Sequence, residues 1–220
     1  MDVSVGTTPS RRIDPQRLAW GVLLVSFAVF CLTGVVVIIG VDYFLFLSSV
    51  PMRGTLSVGR GSVGIADVAN PQEQVERKGA LISQGMIITT DPQSQGMLQI
   101  TDGDAVIALV TVENSSSVTM RTATRPRYEW SRVGHVVNLG NFSGRLSVDI
   151  PAQVGNKILF DIESTQGASA RLEGSGQYIV NATDMEFSVF NREGRVILIP
   201  PDRRVGHLIP PDNQDRKSVV

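Results

Sequence analysis

The chain has 220 residues, of which 20 are basic and 21 acidic, so its formal net charge at pH 7 is −1. This balance excludes an electrostatic argument for nucleic-acid binding, because proteins that bind nucleic acids concentrate positive charge. The only cysteine is Cys31, which excludes an intrachain disulfide. A secreted eukaryotic domain of this size would often use disulfides, so the composition favours a bacterial envelope.

A long apolar run from Leu18 to Val41 is the first predicted element. It contains no Lys, Arg, Asp, Glu or Pro, and as a helix it would be roughly 36 Å long, enough for a hydrocarbon core of about 30 Å. The run continues into residues 43–47, an aromatic cluster suited to the headgroup boundary. A secretory signal peptide would have a shorter apolar region and a cleavage site of small residues. The sequence therefore predicts a transmembrane helix with an interfacial end over Leu18 to Leu47, with the lipid bilayer as its partner.

The charges that flank this run predict its orientation in the membrane. The arginines nearest to it are Arg11, Arg12 and Arg17 before the run, and Arg53 and Arg60 after it. The positive-inside bias is therefore small. Residues 1–17 are too short to fold on their own, and leaving them in the cytoplasm is the simplest arrangement. We expect a short cytoplasmic tail over residues 1–17 and an extracytoplasmic C-terminal domain.

The rest of the chain predicts one β-rich domain over residues 65–209, with a Gly-rich exit segment over 48–64 before it and a flexible tail over 210–220 after it. Short segments rich in Val, Ile, Leu and Thr recur at spacings typical of sandwiches and β-solenoids. The candidate strands are Met97–Thr101, Ala105–Thr111, Val136–Leu139, Arg145–Ile150, Ile158–Ile162, Gln177–Val180, Glu186–Val189 and Arg195–Ile199. The predicted fold class is all-β, either a short-stranded sandwich or a solenoid-like domain.

Turn residues and alternating patterns support several of these strands. Asp102-Gly103 supplies a tight turn, because Gly accepts a positive φ without a Cβ clash. Apolar residues alternate with polar ones in two segments, which predicts strands with one face inward. The residues expected to face inward are Ile158, Phe160 and Ile162 in the first segment, and Met185, Phe187 and Val189 in the second.

Residues 70–79 are the one candidate for a helix after the apolar run. Asn70 is a potential N-cap, Pro71 fits the first turn, and Gly79 would end the helix. The segment has almost no apolar face, so a solvated loop is an equally good interpretation.

Several short motifs follow one another through the predicted β-domain. They are Gly79–Asp91, Ser94–Leu98, Asp102-Gly103, Gly144–Val148, Phe160–Thr165, Gly174–Val180 and Phe187–Val196. In this order they resemble the FecR domain, the extracytoplasmic sensor-regulator domain of many bacterial single-pass membrane proteins. The specificity of the resemblance lies in the order of the motifs, since each alone is weak.

The resemblance implies a non-catalytic sensor, regulatory or protein-interaction role, with a protein partner at the extracytoplasmic face. Residues 1–17 are too short for the cytoplasmic anti-sigma region that precedes the membrane helix in the iron-transport regulators of this family. The alternative function is a structural or accessory subunit of a bacterial envelope complex that uses the β-domain for assembly.

Motifs for catalysis or cofactor binding are weak in this sequence. Residues 59–64 match the dinucleotide-binding fingerprint by letter, but no βαβ unit surrounds them. His135 and His207 are far apart and lack neighbouring cysteines or clustered carboxylates, so we interpret them as turn or surface residues and not as zinc ligands. No serine lies in a G-x-S-x-G turn. We therefore expect no enzyme, no metal, no cofactor and no small-molecule substrate.

One segment concentrates cationic and aromatic side chains. Its members are Arg121, Arg125, Arg127, Tyr128, Trp130 and Arg132. Arg, Tyr and Trp dominate the energetics of protein interfaces, so this segment is the candidate partner-binding surface. Close to a membrane anchor, it is also suited to anionic lipid headgroups. The other interpretation is a solvated connection between two β halves, with Trp130 packed on the domain edge.

Overall fold

The chain divides into two compact units, Met1–Leu45 and Phe46–Val220. The computed structural model describes residues 15–152, 158–201, 206–211 and 213–218. In the first unit the apolar run forms helix α1 over Pro15–Asp42, and a π-helical turn follows over Tyr43–Leu47. Within the described residues, the one helical segment long and apolar enough to cross a membrane is Leu18–Leu47, and none of its side chains is buried in the protein.

The second unit is built of β-strands, which confirms the predicted all-β fold class. The described strands are β1 Ser49–Pro51, β2 Gly54–Arg60, β3 Val63–Asp67, β4 Asn70–Glu76, β5 Gly79–Ile82, β6 Met86–Thr90, β7 Gln95–Asp102, β8 Ala105–Val112, β9 Ser117–Pro126, β10 His135–Ile150, β11 Ile158–Ser164, β12 Ser169–Glu173, β13 Gly176–Ala182, β14 Glu186–Asn191, β15 Arg195–Ile199, β16 His207–Ile209 and β17 Asn213–Ser218. Each of the predicted strands lies within one of them, and the two segments predicted around Gly140 are parts of the single long strand β10.

The strands form two sheets that share β10. The first sheet has the order β4-β3-β6-β9-β10-β11-β12-β15-β16, with β1 beside the C-terminal end of β9. The second has the order β5-β2-β7-β8-β10-β13-β14-β17. Residues 135–143 of β10 pair in the first sheet, whereas residues 144–150 pair in the second. The sandwich, one of the two predicted arrangements, is therefore the observed one.

The pairing of β10 with β11 is parallel, whereas every other described pairing is antiparallel. The chain runs along the first sheet as residues 135–143, crosses to the second sheet at Gly144, and returns to the first sheet as β11. His135 therefore lies beside Ile158 in parallel register. This parallel return through both sheets is made by β10 and β11.

The inward faces of both sheets form one hydrophobic core. Its largest fully buried side chains include Phe142, Phe160, Phe187 and Tyr178. The predicted alternation in β11 is confirmed, since its residues are alternately buried and half-buried along the whole strand. Met185, in contrast, was wrongly predicted to face inward: it is 78% exposed, because hydrogen bonds between Thr183 and Glu186 place it in the turn before β14.

Residues 70–76 form strand β4, so both the helix and the loop expected for this segment were wrong. β4 pairs with β3 and is an edge strand of the first sheet. Charged residues and proline are common in edge strands, because one side of the strand faces solvent. The segment predicted as a Gly-rich exit contains β1 and β2, and the predicted C-terminal tail contains β17.

Tyr178 gives the fold a measurable dependence on alkaline pH. Burial raises the pKa of Tyr178 to about 12, with a further contribution from the nearby Glu173 carboxylate. Because this pKa lies above the unfolded value of about 10, the neutral phenol stabilises the fold fully below pH 10, and the stabilisation is lost as the pH rises towards 12. Between pH 9 and pH 12 we expect the free energy of unfolding to fall by about 2 kcal/mol more in the wild type than in Tyr178→Phe. Urea unfolding of both proteins at each pH measures this, and equal losses would contradict the prediction.

Candidate functional site

The β9–β10 loop, residues 127–134, contains the aromatic part of the predicted site. The β9–β10 hairpin holds it from one side, since Thr124 pairs with Val136. Strand β1 pairs with the last residues of β9, with Pro51 opposite Thr124. The loop is therefore fixed by two neighbouring strands.

Hydrogen bonds tie the loop to residues 46–48, where the second unit begins. The Arg132 main-chain N–H donates to the Phe46 carbonyl at 3.1 Å, and the Ser131 hydroxyl donates to the same oxygen at 2.7 Å. The Arg127 N–H donates to the Ser48 carbonyl at 3.1 Å. Because three of its donors bind main-chain oxygens, the loop is anchored independently of the chemistry of its exposed side chains.

The aromatic side chains of the loop form an exposed stack. The rings of Tyr128 and Trp130 are nearly parallel, at 7°, with their centroids 5.0 Å apart. Trp130 is 62% exposed, which differs from the interpretation that it packs on the domain edge. The Arg132 guanidinium lies 4.7 Å from the centroid of the Phe46 ring, a distance suited to a cation–π interaction.

A charged cluster lies beside the loop. The Arg125 Nε atom is 3.3 Å from one carboxylate oxygen of Asp102, and the His135 Nε2 atom is 2.9 Å from the other. His135 Nδ1 is buried and has no hydrogen-bond partner among the described residues. A pocket of about 430 Å³ is lined by Asp102, Arg125, Arg127, Tyr128, Ser131 and His135, among others. A second pocket, of about 630 Å³, is also lined by residues 133–135 and extends to Ile158, Glu173 and Arg195.

Asp102 and His135 belong to the site but were missed by sequence reasoning. Asp102 was interpreted as a turn residue, and it does end β7 at the hairpin. His135 was interpreted as a turn or surface residue, whereas its side chain is only 17% exposed. The two residues are 33 positions apart, and no local pattern indicates that they meet.

Arg121 is the member of the predicted site that lies apart from the loop. It sits in β9 where the register with β10 shifts, and its guanidinium forms an ion pair with Glu163 on β11. It also donates a hydrogen bond of 3.0 Å to the Asn141 side chain. These contacts stabilise the irregular part of β10 and leave the other five predicted residues as the candidate site.

The arrangement is suited to binding. A serine hydrolase needs a serine hydroxyl hydrogen-bonded to its histidine, but the Ser131 hydroxyl donates to the Phe46 carbonyl. The described residues contain no group of three or more His, Cys, Asp or Glu side chains that could hold a metal ion. The mixed charges of the pocket and the exposed aromatic stack are features of interaction surfaces.

Comparisons with known proteins give a partial structural likeness. No protein-family model and no curated protein matches the sequence. Two crystal structures of a proposed anti-sigma factor from Parabacteroides distasonis ATCC 8503 are similar to this structure, each with a TM-score of 0.44 and 16% sequence identity. Each alignment covers 60% of this chain and 54% of the other, so the chain spans about half the length of these neighbours. The resemblance to the FecR domain stays a prediction.

Proposed function

We propose that this protein is a membrane-anchored, non-catalytic regulatory or protein-interaction domain at the extracytoplasmic face of a bacterial envelope. The apolar segment Leu18–Leu47 supports the anchoring, since it is long enough to span a bilayer. The order of the FecR-like motifs supports a sensor type of domain, and the small positive-inside bias of the flanking arginines supports the orientation.

The observation that carries this proposal is the attachment of the β9–β10 loop to residues 46–48. A partner that binds at Arg125 and Arg127, beside the pocket, contacts a loop whose main chain is hydrogen-bonded to Phe46 and Ser48. Phe46 is also part of the apolar segment. A shift of the loop on binding would therefore act on the residues through which the chain leaves that segment.

Replacing both pocket arginines tests the partner-binding part of the proposal. In intact spheroplasts, a crosslinker that cannot cross membranes should join the full-length protein to an extracytoplasmic partner. We expect Arg125→Ala with Arg127→Ala to reduce the crosslinked complex about tenfold, as loss of interface arginines commonly does. The matched control is Arg60→Ala with Arg77→Ala, which removes two exposed arginines from outside the loop and should leave the yield unchanged.

Two results would contradict the proposal. Equal yields from the two double variants would exclude Arg125 and Arg127 as the contact. Crosslinking that appears only after the spheroplasts are lysed would place the domain in the cytoplasm.

The alternative, an assembly subunit, is favoured by the edge strands β4 and β5. Val75 and Leu81 are large apolar side chains that these strands expose. Exposed edges of sheets are sites where another chain can add a strand. Stoichiometric extracytoplasmic subunits in the crosslinked complex would favour assembly, whereas a co-purifying cytoplasmic regulator would favour signalling.

A further inference from the structure

We propose that the aromatic part of the β9–β10 loop, formed by Tyr128, Trp130 and Arg132, contacts the phosphate-containing headgroups of the phospholipid bilayer. This inference rests on the membrane anchoring in the proposed function. It concerns a different part of the loop from the pocket arginines, which we assign to a protein partner.

The first argument is the position of the loop along the chain. Phe46 is the penultimate residue of the apolar segment Leu18–Leu47 and the first residue of the β-sheet unit. Its carbonyl accepts hydrogen bonds from both Ser131 and Arg132. When the segment spans a bilayer, its last residues lie at headgroup level, and the middle of the loop is hydrogen-bonded to one of them.

The second argument is the chemistry of the exposed side chains. Tyr and Trp are enriched at membrane interfaces because their rings are apolar and their O–H and N–H groups are polar. Trp130 and Tyr128 present such a pair as a stack, with Trp130 largely in solvent. The guanidinium of Arg132, on the Phe46 ring, is the cation best suited to phosphate oxygens.

The third argument is continuity with the aromatic end of the apolar segment. Tyr43 and Phe44 are exposed aromatic side chains of that end. Phe46 joins this end to the loop through its carbonyl and through the ring beneath Arg132. Aromatic residues therefore stand both at the end of the apolar segment in the sequence and in the loop that is hydrogen-bonded to Phe46, which favours lipid over a protein partner for this part of the surface.

Tryptophan fluorescence can test this directly, because Trp20 and Trp130 are the only tryptophans. In full-length Trp20→Phe protein, all tryptophan emission comes from Trp130. The protein is reconstituted in phosphatidylcholine nanodiscs with and without lipid that carries a nitroxide on its headgroup. We expect the nitroxide lipid to quench Trp130 emission at least about twofold, because an interfacial ring would lie within contact distance of the label.

The matched control moves the tryptophan to Met185, in the turn between β13 and β14. Ala182 pairs with Gly144, which is nine residues, or at most about 30 Å, along β10 from His135, and Met185 lies in the turn that follows Ala182. The control carries Trp20→Phe, Trp130→Phe and Met185→Trp. Since Met185 is well exposed, this change should preserve the fold, and its emission should not be quenched.

Three outcomes would overturn the inference. Trp130 emission as insensitive to the nitroxide lipid as that of the control would exclude a headgroup contact. Trp130 shielded from acrylamide but unquenched by the lipid would indicate a protein contact instead. A chain that does not enter nanodiscs would overturn the anchoring as well, which separates failure of the proposed function from failure of this inference alone.

Discussion

Gly144→Ala is expected to lower the free energy of unfolding by about 3 kcal/mol or more. Gly144 has a φ of +100°, a conformation that L side chains rarely adopt. A Cβ atom on it would lie 2.6 Å from the Cα atom of Ser116, which is main chain and cannot rotate away. The Ser116 hydroxyl also accepts a hydrogen bond of 2.9 Å from the Arg145 N–H. Displacing Ser116 would break this bond at the point where β10 passes between the sheets.

Gly103→Ala is the matched control for this prediction. Gly103 also has a positive φ, of +59°, but a Cβ atom there would meet nothing within 4 Å. Gly103→Ala should lower the free energy of unfolding by only about 1 kcal/mol, because the positive φ is the only source of strain for the alanine. Urea unfolding of the full-length proteins in detergent, followed by circular dichroism, measures both. A similar loss of unfolding free energy in the two variants would contradict the prediction, because it would show that Ser116 moves away from the added methyl group at little cost.

Phe160→Ala is expected to destabilise the protein by about 3–5 kcal/mol, because it leaves a cavity in a close-packed core. Phe160 is fully buried in β11, and so are its neighbours Val137 on β10 and Leu172 on β12. Phe160 and Val137 lie opposite each other on the two strands that run parallel, and Leu172 lies on the antiparallel neighbour of β11. Urea unfolding of the full-length variant in detergent, followed by circular dichroism, measures this loss.

Leu159→Ala, at the adjacent position, should cost about 1 kcal/mol or less, because Leu159 is only half-buried and points to the other face. A slip of one residue in the register of β11 would exchange the two side chains. A larger loss from Leu159→Ala than from Phe160→Ala would therefore contradict the pairing of β10 with β11.

Strands that bury an apolar face could be predicted from the sequence, because burial leaves an alternating or continuous apolar pattern. The strands around Leu98, Val110 and Phe160 are of this kind, and each is in the core. β4 and β17 are different, since both are edge strands with polar sequences. Their strand conformation is stabilised by main-chain hydrogen bonds to one neighbouring strand. Such hydrogen bonds leave no apolar pattern in the sequence, so these two strands could not be predicted.

The residues of the candidate site could be predicted from the sequence, but the contacts that hold them in place could not. The local clustering of Arg, Tyr and Trp identified the loop in the sequence. In the structure, five of the six predicted residues lie in the β9–β10 loop or beside it. The partners that hold the loop are distant in sequence: Ser131 meets Phe46, which is 85 positions away. Arg121 is close to the loop in sequence but is held elsewhere by Glu163, because β9 and β11 flank β10.

The sharing of β10 between the sheets has a consequence for how the domain opens. Its hydrogen bonds join β9 and β11 on one side of the molecule, and β8 and β13 on the other. Neither sheet can separate at its middle without disrupting the other, so the interior should unfold cooperatively while only the outermost strands fray. Slow amide exchange should therefore extend through both sheets as one unit, and a ligand that protects either sheet would protect both.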